Sequence, residues 1–310
     1  MTHTSRRSLL TLWAVGLLLA APCELSARPV PTDKVTRLLA PRMPKPPTID
    51  GRIGPAEWRH AAAIGGVAEQ ASNSLLPRPT TFYLAWDAGH VYLACRTWVM
   101  PNYKPRVSGR APGSASVGDD GLELHFKPEG KNVPAGRPDS SYKFFVNCLG
   151  FGGEFGRVSV GQMFRNWSPK LRTAVGLTKP GTAPRGGRWW ELELSAPADQ
   201  FELNGPNRLG DRWRVMLGFN HMPIWIQARV PCNSGYFDPT GFPEVVLADN
   251  VPCVQVTMED LPGACDGMAS ATVRAYNPTG QPVKLDALVQ YADKEGDLLK
   301  HQEPLTVGPG

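Results

Sequence analysis

The sequence predicts an all-β protein, built as a sandwich of two antiparallel sheets. Short runs in which apolar and polar residues alternate recur along the chain, and this period of two is typical of strands with one buried face. The 310 residues include 32 Gly and 31 Pro, which favour short strands joined by turns. No segment keeps a helical period over three turns, so we expect helices to contribute little.

The first residues have the form of an export signal. Arg6 and Arg7 form a basic start, residues 9–21 form an apolar run, and Leu25-Ser26-Ala27 is a cleavage site of the expected type. The apolar run is short for a membrane span. We therefore expect residues 1–27 to be a signal peptide of the general or twin-arginine kind. The mature protein would be secreted or periplasmic, with no membrane span.

Residues 28–58 are expected to form a lead-in and then to close one end of the sandwich. Residues 28–47 are rich in proline and lack periodicity, so we expect an extended lead-in. Ile49-Asp50-Gly51 predicts a turn. Pro55 suits the first position of a single helical turn, and Trp58 at its end is expected to fold back as an apolar plug.

The strands of the sandwich then follow at regular intervals. Residues 82–86 and 91–99 predict a hairpin around a turn at 87–90. In the run at 121–126, Leu122, Leu124 and Phe126 would face the core, while Glu123 and His125 would share the opposite face. Further strands are predicted at 142–148, 171–176, 189–195, 213–220 and 244–248, with a brief helix at 198–203. The first domain therefore covers residues 48–250.

Residues 251–310 are predicted to form a separate β segment. Runs at 254–258, 271–277 and 283–291 alternate like the first strands of an immunoglobulin-like sandwich. The segment is too short for a complete sandwich of about 100 residues. We expect either a partial immunoglobulin-like domain, whose chain continues beyond residue 310, or strands that pack on the first domain.

Charge and cysteine content exclude several functional classes. The formal net charge is +5 and no run of basic residues occurs, so nucleic-acid binding is not expected. The six cysteines include no Cys-x-x-Cys pair, which excludes zinc ribbons and thioredoxin-like sites. Cys95 and Cys148 lie in strand-like runs, where we expect small core residues.

The chain also contains a series of short motifs in a defined order: Ile49-Asp50-Gly51, Glu57-Trp58, Tyr83-Leu84-Ala85-Trp86-Asp87, Val91-Tyr92-Leu93-Ala94, Asp120-Gly121-Leu122-Glu123-Leu124, residues 142–147 and 190–194, Leu217-Gly218-Phe219-Asn220, and Tyr236-Phe237-Asp238-Pro239-Thr240-Gly241-Phe242. In this order and spacing, they resemble carbohydrate-binding module family 9 over roughly residues 47–250. The resemblance implies a two-sheet antiparallel sandwich. It also implies a site in which aromatic rings stack on a sugar and polar side chains bind its hydroxyls.

The resemblance assigns this site to particular residues. It implies that Glu123 is the carboxylate that binds sugar hydroxyls and that Asn147 is a polar contact on the next strand. Asn233 and Tyr236 would supply an amide and one stacking ring from a C-terminal loop. The site would lie at the rim of the sandwich.

Two positions depart from the family pattern. The second stacking ring aligns with Val117, and the arginine that binds the sugar aligns with Phe145. Their loss would weaken binding by a few kcal/mol, on the order of one ring contact and one charged hydrogen bond. Trp98 and Tyr103, from the neighbouring segment, are the candidates for an auxiliary ring.

The sequence thus predicts an exported, non-enzymatic module that binds an oligosaccharide or polysaccharide. A role as an accessory domain of a larger carbohydrate-active enzyme is compatible with this prediction. The alternative is a structural or interaction sandwich with a degenerate sugar site, which the residues at 117 and 145 favour.

Two other classes of function have weaker support. A related sandwich binds haem for electron transfer through methionine and histidine, residue types that this chain provides at His125, Met163, Met216, His221 and Met222. Catalysis by Glu123 with His125, or by Glu191 with Glu193, is not expected. Residues two apart on one strand are neighbours and do not oppose each other across a substrate cleft.

No cofactor is expected, apart from a structural calcium ion. Acidic side chains in turns offer the oxygen ligands that calcium prefers, and the candidates are Asp119, Asp120 and Asp238. The alternative is that these carboxylates cap turns.

Overall fold

The computed structural model describes residues 36–70, 76, 78–130, 133, 141–159, 162–164, 167–221, 226–230, 232, 238–260, 270–292 and 298–309. The predicted signal peptide, residues 1–27, lies outside these ranges. The strands are β1 (Arg37–Pro41), β2 (Ala62–Gly65), β3 (Ala68–Glu69), β4 (Thr80–Trp86), β5 (His90–Val99), β6 (Gly121–Glu129), β7 (Ser141–Asn147), β8 (Gly152–Ser159), β9 (Gln162–Phe164), β10 (Arg172–Leu177), β11 (Arg188–Pro197), β12 (Arg212–His221), β13 (Ile226–Arg229), β14 (Glu244–Ala248), β15 (Cys253–Asp260), β16 (Ser270–Tyr276), β17 (Val283–Ala292) and β18 (Leu298–Val307). One helical turn, α1 (Pro55–Trp58), precedes β2, and short 3₁₀ turns occur at Pro184–Gly186, Ala198–Phe201 and Pro239–Gly241.

Sixteen strands form two sheets, which confirms the predicted all-β sandwich. The first sheet has the order β1-β14-β12-β6-β7-β8-β9, and β13 and β3 continue it beside β12. The second has the order β10-β11-β5-β4-β2-β15-β16. Strand pairs are antiparallel except β1 with β14 and β15 with β2. Strand β6 therefore lies inside the first sheet, between β12 and β7.

The two sheets pack face to face through one apolar core. Alternate residues of the central strands enter it, because side chains on a strand point to opposite faces in turn. The buried set includes Phe82, Leu84, Trp86, Leu93, Leu122, Leu124, Phe126, Phe144, Leu192, Leu194, Trp213, Val215 and Leu217. The rings of Phe126 and Phe144 stack at 5.6 Å. The predicted inward face of β6 is thus confirmed.

The N-terminal segment covers the outer face of the second sheet, and Glu193 holds it there. This fully buried carboxylate accepts hydrogen bonds from the backbone amides of Asp50 (2.9 Å) and Gly51 (2.8 Å) and from Trp58 Nε1 (2.7 Å). Burial raises the pKa of Glu193, although these hydrogen bonds oppose the rise. The predicted turn, the single helical turn with Pro55 at its start and the Trp58 plug are confirmed.

The first two C-terminal strands extend the second sheet. β15 pairs with β2 at Gln255 and Ala63, and it pairs along its length with β16. Residues 31–287 and 303–310 belong to one compact unit, and residues 288–302 belong to another. β17 and β18 pair with each other as a two-stranded sheet. The immunoglobulin-like character of residues 251–310 stays a prediction.

The described cysteines behave as buried thiols. Cys95 is fully buried in the core and Cys253 is buried beside β2. Burial raises the pKa of Cys253 and of the half-buried Cys148 to about 12. Among the residues that the structure describes, no helix has the length and apolar character needed to cross a bilayer.

Gly51 lies in the turn whose backbone amides bind Glu193, and it is closely packed. Gly51 has φ +84°, and a Cβ there would lie 2.5 Å from the carbonyl carbon of Val175. We expect Gly51→Ala to lower the free energy of unfolding by about 3 kcal/mol, because it adds a backbone clash to an unfavourable dihedral. Gly181→Ala is the matched control, since Gly181 has φ +81° in open space. Equal losses for the two variants in urea denaturation would contradict the packing argument.

Candidate functional site

The outer face of the first sheet carries the polar side chains that the sequence singles out. In an antiparallel pair, residues directly opposite each other share a face. Glu123 is opposite Phe145 on β7 and Gly218 on β12, and His125 is opposite Lys143 and Met216. Glu123 and His125 therefore belong to two neighbouring cross-strand rows, on the side of β6 that faces away from the core.

Glu123 forms a buried ion pair with Lys143. The distance from Lys143 Nζ to Glu123 Oε1 is 2.9 Å, and His125 Nε2 lies 3.5 Å from the same oxygen. Glu123, His125 and Lys143 are 3%, 0% and 5% exposed. Burial acts to raise the pKa of Glu123, but the hydrogen bond from His125 and the charge of Lys143 outweigh it and lower the pKa. Glu123 is therefore a carboxylate at neutral pH.

His125 is buried in its neutral form. Desolvation lowers its pKa, and the charge of Lys143 adds to this effect, although Glu123 opposes it. The ring also packs edge-on against Phe242, with 5.8 Å between the centroids. The three groups thus form a polar cluster in which one carboxylate is balanced by one ammonium group.

Arg229 lies in the same row as Glu123, and the sequence reasoning missed it. It is opposite Gly218, which is itself opposite Glu123 on the other side of β12. Neighbouring strands are about 4.8 Å apart, so the two Cα atoms are about 10 Å apart. Gly218 places no side chain between them. The alternation of β13, with Ala228 in the core, could have identified Arg229 as outward-facing once β13 was paired with β12.

Phe145 occupies the position of the family's arginine as a packed ring. It is fully buried, and its Cζ would lie 2.9 Å from a Cβ placed on Gly121. At the position of the missing ring, the carbonyl of Val117 accepts a hydrogen bond from Asn220 Nδ2 at 3.2 Å. Phe145 is therefore packed inside the structure, whereas the half-buried Val117 is held to β12 through its backbone.

Asn147 has a fully occupied amide. Its Nδ2 donates to the Gly109 carbonyl (2.7 Å) and to Asp119 Oδ2 (3.1 Å). Its Oδ1 accepts from the backbone amides of Leu149 and Phe151, both at 3.1 Å. An amide has two donor protons and two acceptor lone pairs, so a sugar hydroxyl can bond to Asn147 only by displacing one of these contacts.

Asp119 and Asp120 tie the loop before β6 to the sheet. Asp119 accepts from the backbone amide and hydroxyl of Ser108, both at 2.6 Å, and from the Gly109 amide at 3.2 Å. Although burial acts to raise it, the pKa of Asp119 is lowered by these hydrogen bonds. Asp120 accepts from the Arg106 amide at 2.5 Å. These carboxylates point at N–H donors, which is the geometry of turn-stabilising groups.

The remaining calcium candidate is also a turn residue. Asp238 caps the 3₁₀ turn at Pro239–Gly241 and accepts from the Thr240 amide (3.0 Å) and hydroxyl (2.6 Å). Within the described ranges, no group of three or more His, Cys, Asp or Glu side chains could hold a metal ion. Calcium binding stays a prediction.

The two auxiliary rings lie in other environments. Trp98 is on β5 at a position that alternates with the core residues Cys95 and Val99, so it faces outward from the second sheet. Its Nε1 donates to the Pro184 carbonyl at 2.8 Å. The core separates this face from the face that carries Glu123, and the role of Trp98 as an auxiliary ring stays a prediction. The Tyr103 ring packs against the apolar core, and burial together with Asp120 raises the pKa of its hydroxyl.

Several candidates lie outside the described residues or serve the fold. Asn233 and Tyr236 are outside the described ranges, as are Met222 and the side chains of Met163 and His221. Glu191 is paired with Arg96 at 2.6 Å, and Glu193 holds the N-terminal turn. The carboxylates of β11 are thus engaged in internal contacts.

Comparison with known proteins identifies the fold. No family model matches the sequence, and no curated protein matches it. Among solved structures, a provisionally assigned carbohydrate-binding protein from Bacteroides uniformis ATCC 8492 aligns over 69% of this chain and 100% of its own. The TM-score is 0.52 and the sequence identity is 15%. At this identity the likeness shows the fold, and it agrees with the β-sandwich predicted from the sequence.

Structures of carbohydrate-binding module family 9 are also among the matches. Two of them come from Caldicellulosiruptor kristjanssonii, one in complex with cellotriose and one with glucose. Each is 15% identical, has a TM-score of 0.46 and covers 69% of this chain. The alignments cover 94% and 96% of those chains. The family suspected from the sequence motifs is thus represented among the structural matches.

Acid is expected to destabilise the protein through His125. Its folded-state pKa lies below 6.5, so the unfolded chain binds the proton more readily and stability falls as the pH drops below about 6.5. The lowered pKa of Glu123 adds a further loss below about pH 4.5. In urea denaturation, His125→Gln should flatten the decline between pH 6.5 and 5 more than His60→Gln, at a less buried histidine. An unchanged slope in His125→Gln would contradict this account.

Asn147→Ala tests the structural role of the amide. The change removes four hydrogen bonds and leaves their buried partners without a replacement. We therefore expect a loss of about 3 kcal/mol in the free energy of unfolding. Asn220→Ala is the control on the same face, where the amide makes one hydrogen bond, to Val117. It should cost about 1 kcal/mol. Similar losses in the two variants would show that the contacts of Asn147 are not special.

Proposed function

We propose that this protein is a non-catalytic carbohydrate-binding module whose sugar site lies on the outer face of the first sheet, around Glu123. The observation that carries the proposal is the ionised Glu123 in one cross-strand row with Arg229, next to Lys143. A carboxylate accepts hydrogen bonds from hydroxyls, and hydrogen bonds to ionised groups are about twice as strong as neutral ones. The pattern suits a ligand with several neighbouring hydroxyls.

Each residue has a distinct part in this proposal. Glu123 accepts from sugar hydroxyls, Lys143 keeps it ionised, and Arg229 supplies the cationic donor that position 145 lacks. Tyr236 and Asn233 complete the site as the stacking ring and the amide. Asn147 supports the loop that precedes β6 and is not assigned a ligand contact, because its amide is saturated.

The fold supports the same function. The structural match from Bacteroides uniformis is itself assigned, provisionally, to carbohydrate binding. We include in the proposal the export of the chain through the signal peptide at residues 1–27, which would bring it to external glycans. The internal contacts of Glu191 and Glu193 support a non-catalytic role, because an acid–base pair needs carboxyl groups that reach substrate.

A second candidate is a structural or interaction sandwich whose sugar site has degenerated. The observation that favours it is the closure of the cluster: Glu123 is 3% exposed and Phe145 is fully buried. A ligand would then have to displace part of the cover to reach the carboxylate. Binding measurements separate the two candidates.

Calorimetric titration tests the sugar site directly. We expect heat from at least one of the glucose-, xylose- and galactose-type oligosaccharides, and a loss of affinity of tenfold or more in Glu123→Gln, since a charged acceptor becomes neutral. Glu129→Gln is the matched control, at the far end of the same strand on the same face, where the carboxylate pairs with Arg214. It should keep the affinity of the parent protein.

The opposite outcome is equally clear. If the folded protein binds none of these sugars, or if Glu123→Gln and Glu129→Gln bind equally well, the proposed site is wrong and the degenerate sandwich is favoured. Thermal unfolding of each variant confirms that it is folded before titration.

A further inference from the structure

The outer face of the second sheet contains a cavity that the proposed sugar site does not use. Its volume is about 480 Å³, and its walls come from α1, β4, β5, β15 and β16. Pockets for small ligands typically measure about 300–1,000 Å³. The C-terminal strands complete this cavity, because β15 and β16 form one of its walls beside β2.

The lining of the cavity is positively charged. Three guanidinium groups contribute to it, those of Arg59, Arg96 and Arg274, and no carboxylate does. Arg96 forms an ion pair with Glu191, in which Nε and Nη2 lie 2.7 Å and 2.6 Å from Glu191 Oε1. This pair fixes the orientation of the Arg96 guanidinium group. The lining as a whole therefore favours an anion.

A tyrosine also lines the cavity. Tyr83 is 7% exposed, and its ring packs against Trp58. Burial raises the pKa of the Tyr83 hydroxyl, while the charges of Arg96 and Arg274 oppose the rise, so both arginines act on this hydroxyl. A phenolic O–H can donate to a ligand oxygen, so Tyr83 adds a hydrogen-bond donor to the arginines of this wall.

The floor of the cavity is held in place by internal contacts. Trp58 packs against Tyr83, with 6.1 Å between ring centroids, and its Nε1 is bound by Glu193. Gln255 Nε2 donates to the carbonyls of Trp58 (2.7 Å) and Ala61 (2.8 Å). Such pinning lowers the conformational cost of binding, because the site is formed before the ligand arrives.

Apolar groups occupy the remaining wall. Ile53, Pro55 and Ala275 line the cavity, and the Arg59 guanidinium lies over the Tyr276 ring at 5.1 Å. A ligand with C–H groups as well as an oxyanion can therefore satisfy both parts of the wall.

We propose that this cavity binds a small organic oxyanion, namely a sugar ring that bears a carboxylate or a sulfate group. The arginines bind the oxyanion, since the planar guanidinium fork matches such groups with two parallel hydrogen bonds. The Tyr83 hydroxyl donates to an oxygen of the ligand, and the apolar wall contacts the ring. This site is separate from the one around Glu123 and does not depend on it.

Isothermal titration with three probes tests the proposal. Sodium glucuronate, glucose 6-sulfate and neutral glucose share one ring and differ in charge. We expect at least one of the anionic probes to bind, with an affinity that falls as salt is raised, and the arm that binds identifies the oxyanion. The proposal is overturned if neither of the two anions binds in low-salt buffer.

Variants then locate the binding. Tyr83→Phe removes only the hydroxyl and Arg274→Gln removes a charge at an exposed position, so both should fold. Each should weaken binding of the anionic probe at least fivefold, whereas Arg212→Gln, at an exposed arginine of the first sheet, should leave it unchanged. Binding that persists in both variants, or that is abolished by Glu123→Gln, would overturn the assignment to this cavity. Neutral-sugar binding that requires Glu123 is a separate result and bears only on the first site.

Discussion

The structure depends on burying both faces of its two central sheets. The inner faces meet in one apolar core, but each outer face carries a carboxylate that is nearly or fully buried, and a buried charge needs partners to be tolerated. Glu123 is balanced by Lys143 on the first sheet, and Glu193 is satisfied by three backbone amides and Trp58 on the second. The two arrangements have different consequences. The pair of Glu123 and Lys143 leaves a compensated charge in a row of polar groups, whereas the hydrogen bonds of Glu193 hold the N-terminal segment over the second sheet.

Much of the fold follows from local sequence pattern, while the site does not. The alternation of residues 121–126 correctly separates core residues from Glu123 and His125, and Pro55 and Trp58 identify the helical turn. The partners Lys143 and Arg229 come from strands whose place beside β6 and β12 is set by sheet order, which local alternation cannot show. Trp98 illustrates the same limit, because it is near in sequence to the loop before β6 but its strand parity places it on the opposite side of the core. Asn147 matches a binding motif, yet the loop before β6 and the turn after β7 together use all of its hydrogen bonds.

The two outer faces offer different chemistry to a ligand. The cluster at Glu123 combines an ionised acceptor with cationic side chains in a closed setting, which suits the hydroxyl groups of a neutral sugar. The cavity on the second sheet is lined by three arginines and a tyrosine, and it suits an anion. Under the two proposals, the sandwich would bind neutral and acidic sugars at separate places. The C-terminal strands matter for the second face, since Gln255 and Arg274 belong to them.

The most direct measurement of the central claim is a crystal structure of the protein with a bound glucose- or xylose-type oligosaccharide. The account predicts electron density for a sugar on the outer face of the first sheet, with a hydroxyl oxygen within about 3 Å of the Glu123 carboxylate. It also predicts that the Glu123–Lys143 contact is kept in the complex. A sugar that binds only elsewhere on the protein, with the cluster around Glu123 closed and unchanged, would contradict the account.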